Sequence, residues 1–523
     1  MKFFNTAGPV KCEYHYCLDP LSRFDMDEIE MLIAQHKYFI LHAPRQTGKT
    51  SFMLSLMKYL NQKGIVCLYI NVEAAQAVRE NIKEAMRIIL SEMASRAQSD
   101  LNNEYLENIW FEIIEQRSGF ALNNILTQWS KMDDQPKILI IDEIDSLVGD
   151  TLISVLRQLR AGYDKRPLSF PQSIILCGVR DIRDYRIHSS SEKTIITGGS
   201  AFNIKAKSLH LGQFTQEEMT QLYNCHTLET GQTITEKALE KCWEYSKGQP
   251  WIVNALGYEV CFEMKTMRDR SKIITADHVQ KAVDNLIIRR ETHVDQLMDK
   301  LQEERVRNVI EPILMNEEKP KHAKEDDILY VKDLGLITID KKIRIANRLY
   351  QEVIPRSLTF PTQITINHEP AWYITEKGFI DTQKLLSAFQ NFYRKHFDEW
   401  SEDFQYKESS MQLLLQAFLQ RIINSGGYLF REYGLGRKRT DLFIQWPQLD
   451  PIQEIVIELK FRYGDTERII EKGLEQTYEY MQKCGATEGH LVIFDRRKTK
   501  GWDSKIFQLK KEYKGCEIIV WGI

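Results

Sequence analysis

At 523 residues the chain is too long for one core, and at about 100 to 200 residues per domain it is expected to hold roughly three or four. Hydrophobic residues at 43% and charged residues at 27% exclude a fibrous or largely disordered protein. The 70 basic and 73 acidic side chains leave a formal charge of −3, so no global field draws the chain onto nucleic acid and any such binding must come from local patches.

No run of roughly 18 apolar residues occurs, and the opening MKFFNTAGPV lacks the apolar core of a secretory signal. The expectation is a cytoplasmic protein without a membrane partner. Nine cysteines, several within apolar runs, include no Cys-x-x-Cys pair. They predict reduced, mostly buried thiols rather than a disulfide framework or a zinc site.

The first sharp signal follows the apolar run at 38–41, which enters APRQTGKT at 43–50 and continues into SFMLSLMKYL with helical spacing. Strand, loop and helix in that order suit a phosphate-binding loop, whose backbone N–H groups cradle phosphates while a Lys reaches the outer oxygens and a hydroxyl ligates Mg²⁺. Those roles fall to Gly48, Lys49 and Thr50. Ala43 replaces the first glycine of the pattern, which is tolerable where the backbone keeps a negative φ.

GIVCLYINV at 64–72 and KILIIDEID at 137–145 are unbroken apolar runs, as parallel strands covered on both faces require. Asp142 is the candidate Mg²⁺ ligand and Glu143 the candidate base that polarises water. A fourth strand, SIILCGVRD at 173–181, is expected to deliver Arg180 to the same sheet edge. Arg157 and Arg160, on the helix before it, are read as solvated. Together these elements predict a parallel α/β sheet.

From about 213 the pattern turns helical. Thr215 with Glu218 forms a capping box, Thr235 opens the next helix, and Gly248-Gln249-Pro250 starts a third with Pro250 in its first turn. A helix at 301–314, a charged loop and two short alternating runs around Asp340 to Lys342 predict a winged helix. The proline-containing stretch 357–370 reads as a linker.

Beyond it, 411–427 is an apolar-faced helix closed by Gly426-Gly427. Asp441 opens an apolar run, and Glu458 and Lys460 lie two apart on one face of a strand. Two carboxylates with a nearby ammonium are what metal-assisted phosphodiester hydrolysis requires. The Leu459 carbonyl is a candidate second-row contributor, and Gln476 and Tyr480 share a helix face, where a core tyrosine is the plainer reading of Tyr480. The basic clusters 437–439 and 496–498 are candidate phosphate contacts.

At FNTAGP, HAPRQTGKTS, LIIDEID, SAFNI and GQPWIVNAL, the chain resembles the bacterial AAA-like ATPases of the STAND type. From about 370, Asp441, the Glu-x-Lys and the following Gln-x-x-x-Tyr resemble a PD-(D/E)XK nuclease of the RecB-like type. The resemblance implies a multidomain α/β and α protein: a P-loop ATPase core (1–212), a helical bundle (213–300), a winged-helix module (301–356), a linker (357–370) and a mixed α/β nuclease fold (371–523). Lys49 and Thr50 match the phosphate and Mg²⁺ positions, Asp142 and Glu143 the acidic pair, Arg180 the strand-end arginine and Pro250 the proline set against the base. Asp441, Glu458, Lys460, Gln476 and Tyr480 match the nuclease core, with Glu408 the candidate helical acid.

The implied cofactors are ATP and Mg²⁺, with Mn²⁺ an alternative at the nuclease site. The implied partner is nucleic acid, with DNA the leading expectation, and the active state is expected to be a homo-oligomer under an unidentified trigger. A DNA-binding motor with a non-cleaving nuclease fold and an ATP-dependent signalling scaffold are the rival readings.

Overall fold

The computed structural model describes residues 1–181, 186–189, 194–289, 299–314, 323–340, 342–358, 372–403, 415, 418–419, 427–435, 438–447, 452–462, 466–495 and 502–523. The chain divides into two compact units, Met1–Val309 with Pro320–Tyr350, and Ile310–Lys319 with Gln351–Ile523.

The first unit runs through α1 (Met26–Ala34), β1 (Tyr38–His42), α2 (Lys49–Gln62), β2 (Val66–Asn71), α3 (Ile82–Leu101), α4 (Tyr105–Arg117), α5 (Ala121–Lys131), β3 (Lys137–Asp142), α6 (Gly149–Ala161) and β4 (Ser173–Gly178). A hairpin of β5 (Arg186–Ser189) and β6 (Thr194–Thr197) precedes β7 (Lys205–His210). The main sheet has the order β2-β3-β4-β1-β7, and its pairings are parallel. Successive side chains of a strand point to opposite faces, and both faces are covered. Phe39, Leu41, Ile138, Ile140 and Ile175 pack with α1 and α2. Tyr38, Ile40, Leu139, Ile141 and Ile174 pack with α3 to α6. Hence the strands read as continuous apolar runs.

Two details correct the sequence reading. The strands stop before the apolar runs suggest, so Glu143 and Arg180 stand beyond β3 and β4 rather than on them. The fifth strand, β7, is an addition: its KAKSLH pairs on one side only and is largely exposed, so it carries no apolar run.

The helical segment comprises α7 (Gln216–Thr230), α8 (Glu236–Ser246), α9 (Pro250–Tyr258) and α10 (Ala276–Arg289). Both bonds of the expected capping box form: Glu218 N–H donates to Thr215 Oγ1 at 3.1 Å and Thr215 N–H to Glu218 Oε2 at 2.7 Å. Thr235 likewise caps α8, accepting from Ala238 N–H. Gly248 sits at φ +79, and a Cβ there would lie 2.0 Å from the Phe214 carbonyl oxygen, so only glycine makes this turn into α9. Pro250 occupies the first turn of α9 and Gln249 caps it through Ile252 N–H.

Then follow α11 (Glu304–Leu314), α12 (Glu325–Asp333), the antiparallel hairpin β8 (Ile337–Ile339) and β9 (Ile343–Ile345), and α13 (Arg348–Leu358). The helix-then-hairpin order expected for this segment is present. The expected linker lies almost wholly outside the described residues; its first two positions, Ser357 and Leu358, belong to the end of α13.

The second unit contains α14 (Thr382–Asp403), β10 (Tyr428–Leu435), β11 (Lys438–Trp446), β12 (Gln453–Arg462), α15 (Thr466–Cys484), β13 (Glu488–Asp495), β14 (Phe507–Tyr513) and β15 (Cys516–Gly522). Its mixed sheet has the order β10-β11-β12-β13-β15-β14, with β12, β13 and β15 parallel and the flanking pairs antiparallel. One face packs Ile455, Ile457, Val492 and Trp521 against Leu385, Leu386 and Phe389 of α14, a helix absent from the sequence reading. The other packs Phe443, Val456, Leu491 and Val520 against Leu474, Tyr480 and Met481 of α15. Of the helix expected at 411–427, the described Leu415, Phe418 and Leu419 are helical and buried.

The expectation of nine thiols is also corrected. Cys12 and Cys17 form a disulfide, because the turn at 11–14 brings their Cα atoms to 5.4 Å. The other seven cysteines are free, with Cys67, Cys177, Cys242 and Cys261 buried. Among the described residues, no helix is long and apolar enough to cross a membrane.

Candidate functional site

The loop between β1 and α2 is shaped by its own sequence. Ala43 keeps a negative φ, and its N–H donates to Gly178 O at the end of β4. Gly48 caps α2 at φ +95, a conformation that side-chain-bearing residues rarely adopt. Lys49 is almost fully buried, and its ammonium donates to Ala43 O at 3.0 Å and Pro44 O at 2.9 Å. Thr50 Oγ1 donates to Asp142 Oδ2 at 2.8 Å, placing both predicted cation ligands together.

Asp142 is fully buried at the end of β3 and accepts two further bonds, from Tyr69 O–H at 2.9 Å and Glu143 N–H at 2.8 Å. Tyr69 escaped the sequence reading, since only the β2–β3 pairing shows that it reaches this carboxylate. Glu143 adopts a left-handed backbone at φ 55. Burial first, and then the Asp145 carboxylate, push its carboxyl up to about 7, while Lys49 pulls the other way. A carboxylate poised near neutrality is suited to general base work.

Arg180 stands just beyond the end of β4. Its guanidinium pairs with Asp333 of α12 at 3.1 Å and lies over the Tyr330 ring. Arg157 and Arg160 are exposed, as predicted. Pro250 lines a cleft with Thr6, Gly8, Cys17, Thr47, Gly48 and Trp251. Arg23, also missed, braces the loop by donating to Thr47 O and Gly212 O. It stacks over Phe214, a pairing of cation and ring that loop composition does not announce.

A second set of ionisable groups lies in the other unit. Leu442 pairs with Ile457, so one position further Asp441 comes opposite Glu458. Asp441 Oδ2 accepts from Leu459 N–H at 2.8 Å, and Lys460 Nζ donates to Glu458 Oε1 at 2.6 Å and to Leu459 O at 3.2 Å. Burial, followed by the Asp441 charge, pushes Glu458 up to about 7 against the pull of Lys460. Glu458 Oε2 and the Gln476 side-chain oxygen are both buried, with no hydrogen-bond partner among the described residues.

Buried polar atoms normally find partners, and the Glu458 oxygen on the α15 side of the sheet is of a kind that suits a cation. Tyr480 is part of the core under α15, the plainer of its two readings. Glu408, Arg437 and the run 496–498 lie outside the described residues, as do the side chains of Lys438 and Arg439. Among the described residues no cluster of three or more His, Cys, Asp or Glu side chains is disposed to hold a metal ion, so a cation between Asp441 and Glu458 would need backbone or solvent ligands as well.

A parallel sheet that presents a glycine-capped phosphate loop, a buried lysine and a Thr–Asp pair is a P-loop ATPase domain. Residues 22–355 match the AAA-like domain family, and the chain belongs to it. Solved structures to which the chain is similar include a Walker-type ATPase of Pyrococcus abyssi, 15% identical with a TM-score of 0.46, covering 67% of this chain and 99% of that one. The RuvB Holliday junction branch migration motor of Thermotoga maritima is 13% identical with a TM-score of 0.34, covering 63% and 95%. Domain III of the Thermotoga maritima replication initiation protein DnaA is 14% identical with a TM-score of 0.32, covering 53% and 98%. No curated protein matches the chain. The family match ends at 355, and the C-terminal sheet rests on its own geometry.

Proposed function

We propose that the chain is an ATP-regulated, Mg²⁺-dependent nuclease acting on DNA, with the AAA-like domain as a switch and the C-terminal sheet as the cleaving module. The observation that carries the second half is the facing pair Asp441 and Glu458, with Lys460 bonded to Glu458 and one Glu458 oxygen buried with no partner among the described residues. Oxygen donors of this kind suit a hard divalent cation, Mg²⁺ or Mn²⁺. Asp441, Glu458 and the Leu459 carbonyl would hold it, as Thr50 and Asp142 would hold Mg²⁺ beside ATP.

Such an ion, when bound, polarises a phosphoryl oxygen and makes water a better nucleophile. The protein's own part is then plain. Leu459 N–H fixes the Asp441 carboxylate, and Lys460 supplies a positive charge where the phosphodiester becomes more negative. In the ATPase, Lys49 exchanges its carbonyl partners for phosphate oxygens, Glu143 accepts a proton from water, and Pro250 borders the base.

Control by nucleotide and assembly into homo-oligomers belong to the same proposal. A shift from 1:99 to 99:1 between two states needs about 5.5 kcal/mol of differential binding, beyond the typical coupling of about 1 to 3 kcal/mol from one ligand. Several protomers acting together supply it. A nuclease restrained in this way suits a cytoplasmic defence against phage or plasmid DNA.

The test is incubation of the purified chain with circular and linear DNA, with ATP, a non-hydrolysable analogue, ADP or no nucleotide, in Mg²⁺ or Mn²⁺. Cleavage that needs ATP or the analogue and rises faster than linearly with protein concentration is expected. Cleavage identical under all nucleotide conditions would reject the switch, and no cleavage under any of them would reject the nuclease.

A further inference from the structure

The N-terminal strap forms one wall of the nucleotide cleft and is held there at separate points. Trp251 Nε1–H of α9 donates to Thr6 O at 3.0 Å, and Val10 N–H donates to Ser51 Oγ of α2 at 2.9 Å. Further along, Tyr16 is buried, with its hydroxyl 3.1 Å from His226 Nδ1. The strap also folds on itself, with Phe3 N–H donating to Tyr14 O and Tyr16 N–H to Phe3 O. Between these anchors lies the turn in which Tyr14 and His15 N–H donate to Lys11 O.

The Cys12–Cys17 disulfide closes this turn, with five residues of separation. Cys17 lines the same cleft as Thr47, Gly48, Pro250 and Trp251. Both cysteines are only partly buried, so small thiols and disulfides can reach them.

We propose that Cys12 and Cys17 are a reversible thiol–disulfide pair that sets the affinity of the cleft for nucleotide. This rests on the reading of the cleft as the ATP site. The chemistry balances with a low-molecular-weight disulfide such as oxidised glutathione: the two thiols lose two electrons and two protons, one sulfur–sulfur bond forms, and the oxidant leaves as two thiols. Reduction runs the same exchange backwards through a mixed disulfide. With the bond intact, the strap reaches Cys17 along a short fixed path and presents a preformed wall. With the bond open, residues 11–17 gain conformational freedom that nucleotide binding must remove, which weakens affinity.

The experiment is isothermal titration of ATP into the full chain, equilibrated in oxidised or in reduced glutathione. Thiol alkylation and intact mass then count two fewer blocked cysteines in the oxidised form. ATP is expected to bind about tenfold more tightly to the oxidised chain, within the usual range of coupling between two sites. The Cys12→Ser/Cys17→Ser double variant should bind like the reduced chain in both buffers. Equal affinity of the two forms, or a redox response that survives in the double variant, would overturn the inference. If the two forms bind equally and Lys49→Ala abolishes binding in each, the inference fails alone; if no form binds ATP, the cleft reading fails and takes the inference with it.

Discussion

The two sites are satisfied in opposite ways. In the ATPase, Lys49 is bonded to two carbonyls of its own loop and Asp142 accepts three hydrogen bonds, so the machinery is internally paired before nucleotide arrives. In the C-terminal sheet, Glu458 shares one oxygen with Lys460 while the other, like the Gln476 oxygen, is buried with no partner among the described residues. An unpaired buried polar atom costs about 1 to 3 kcal/mol. The first site is therefore internally paired, whereas the second leaves buried oxygens that the cation proposed above would complete.

That contrast can be broken at either end. The largest effect is expected for Glu143→Gln, which keeps the half-buried side chain's shape and removes its basicity. ATP turnover should fall by about 10²- to 10⁴-fold while ATP affinity persists. Single-turnover hydrolysis equal to the parent's would move the base elsewhere. Next is Lys460→Ala, expected to slow DNA cleavage by about 10²- to 10³-fold and to leave ATP hydrolysis intact, because the groups lie in separate units. A plasmid-nicking assay beside a phosphate-release assay checks both halves.

Lys49→Ala comes third. A charge-assisted hydrogen bond is worth about 1.5 to 3 kcal/mol, so ATP affinity should drop by roughly 10- to 100-fold in titration calorimetry. Unchanged affinity in a folded variant would dismiss the loop.

The smallest effect sharpens the internal packing of the first site. His42, at the end of β1, has its pKa drawn down to about 4 by burial and then by His210 beside it. Its folded value lies below the unfolded value of about 6.5, so the neutral ring is the one the fold prefers. The stability it contributes is complete above about pH 6.5 and is lost as pH falls towards 4. Thermal melts should show a loss of roughly 1 to 2 kcal/mol across that window, discounted for partial exposure of the ring. His42→Gln should flatten the slope, and an unaltered slope would assign it to other groups.

Much of this was legible in the sequence, and the omissions share a cause. β1 to β4 announced themselves because both faces are buried, and Gly48, Lys49, Thr50 and Asp142 because phosphate chemistry fixes residue types at short spacing. β7 was not legible, since an edge strand can be polar on both faces. Tyr69 and Arg23 act across the fold, on Asp142 and on Thr47, at separations that no local pattern records. Arg180 was placed near the right strand end but not with its partner Asp333, which is 153 residues away. The Cys12–Cys17 bond was masked by an odd cysteine count, which argues about the whole set and says nothing of one pair. In the second unit the Glu-x-Lys spacing gave the face, whereas the unpartnered state of Glu458 Oε2 emerges only once α15 has covered it.

The central claim, that the Asp441 and Glu458 pair is completed by a divalent cation independently of the ATP site, is tested most directly by Mn²⁺ titration of the nucleotide-free chain. The account predicts a Mn²⁺ site that persists in Lys49→Ala and disappears in Asp441→Ala, with both variants retaining the parent's circular dichroism. Binding that is unaffected by Asp441→Ala, or no binding by the parent, would contradict it.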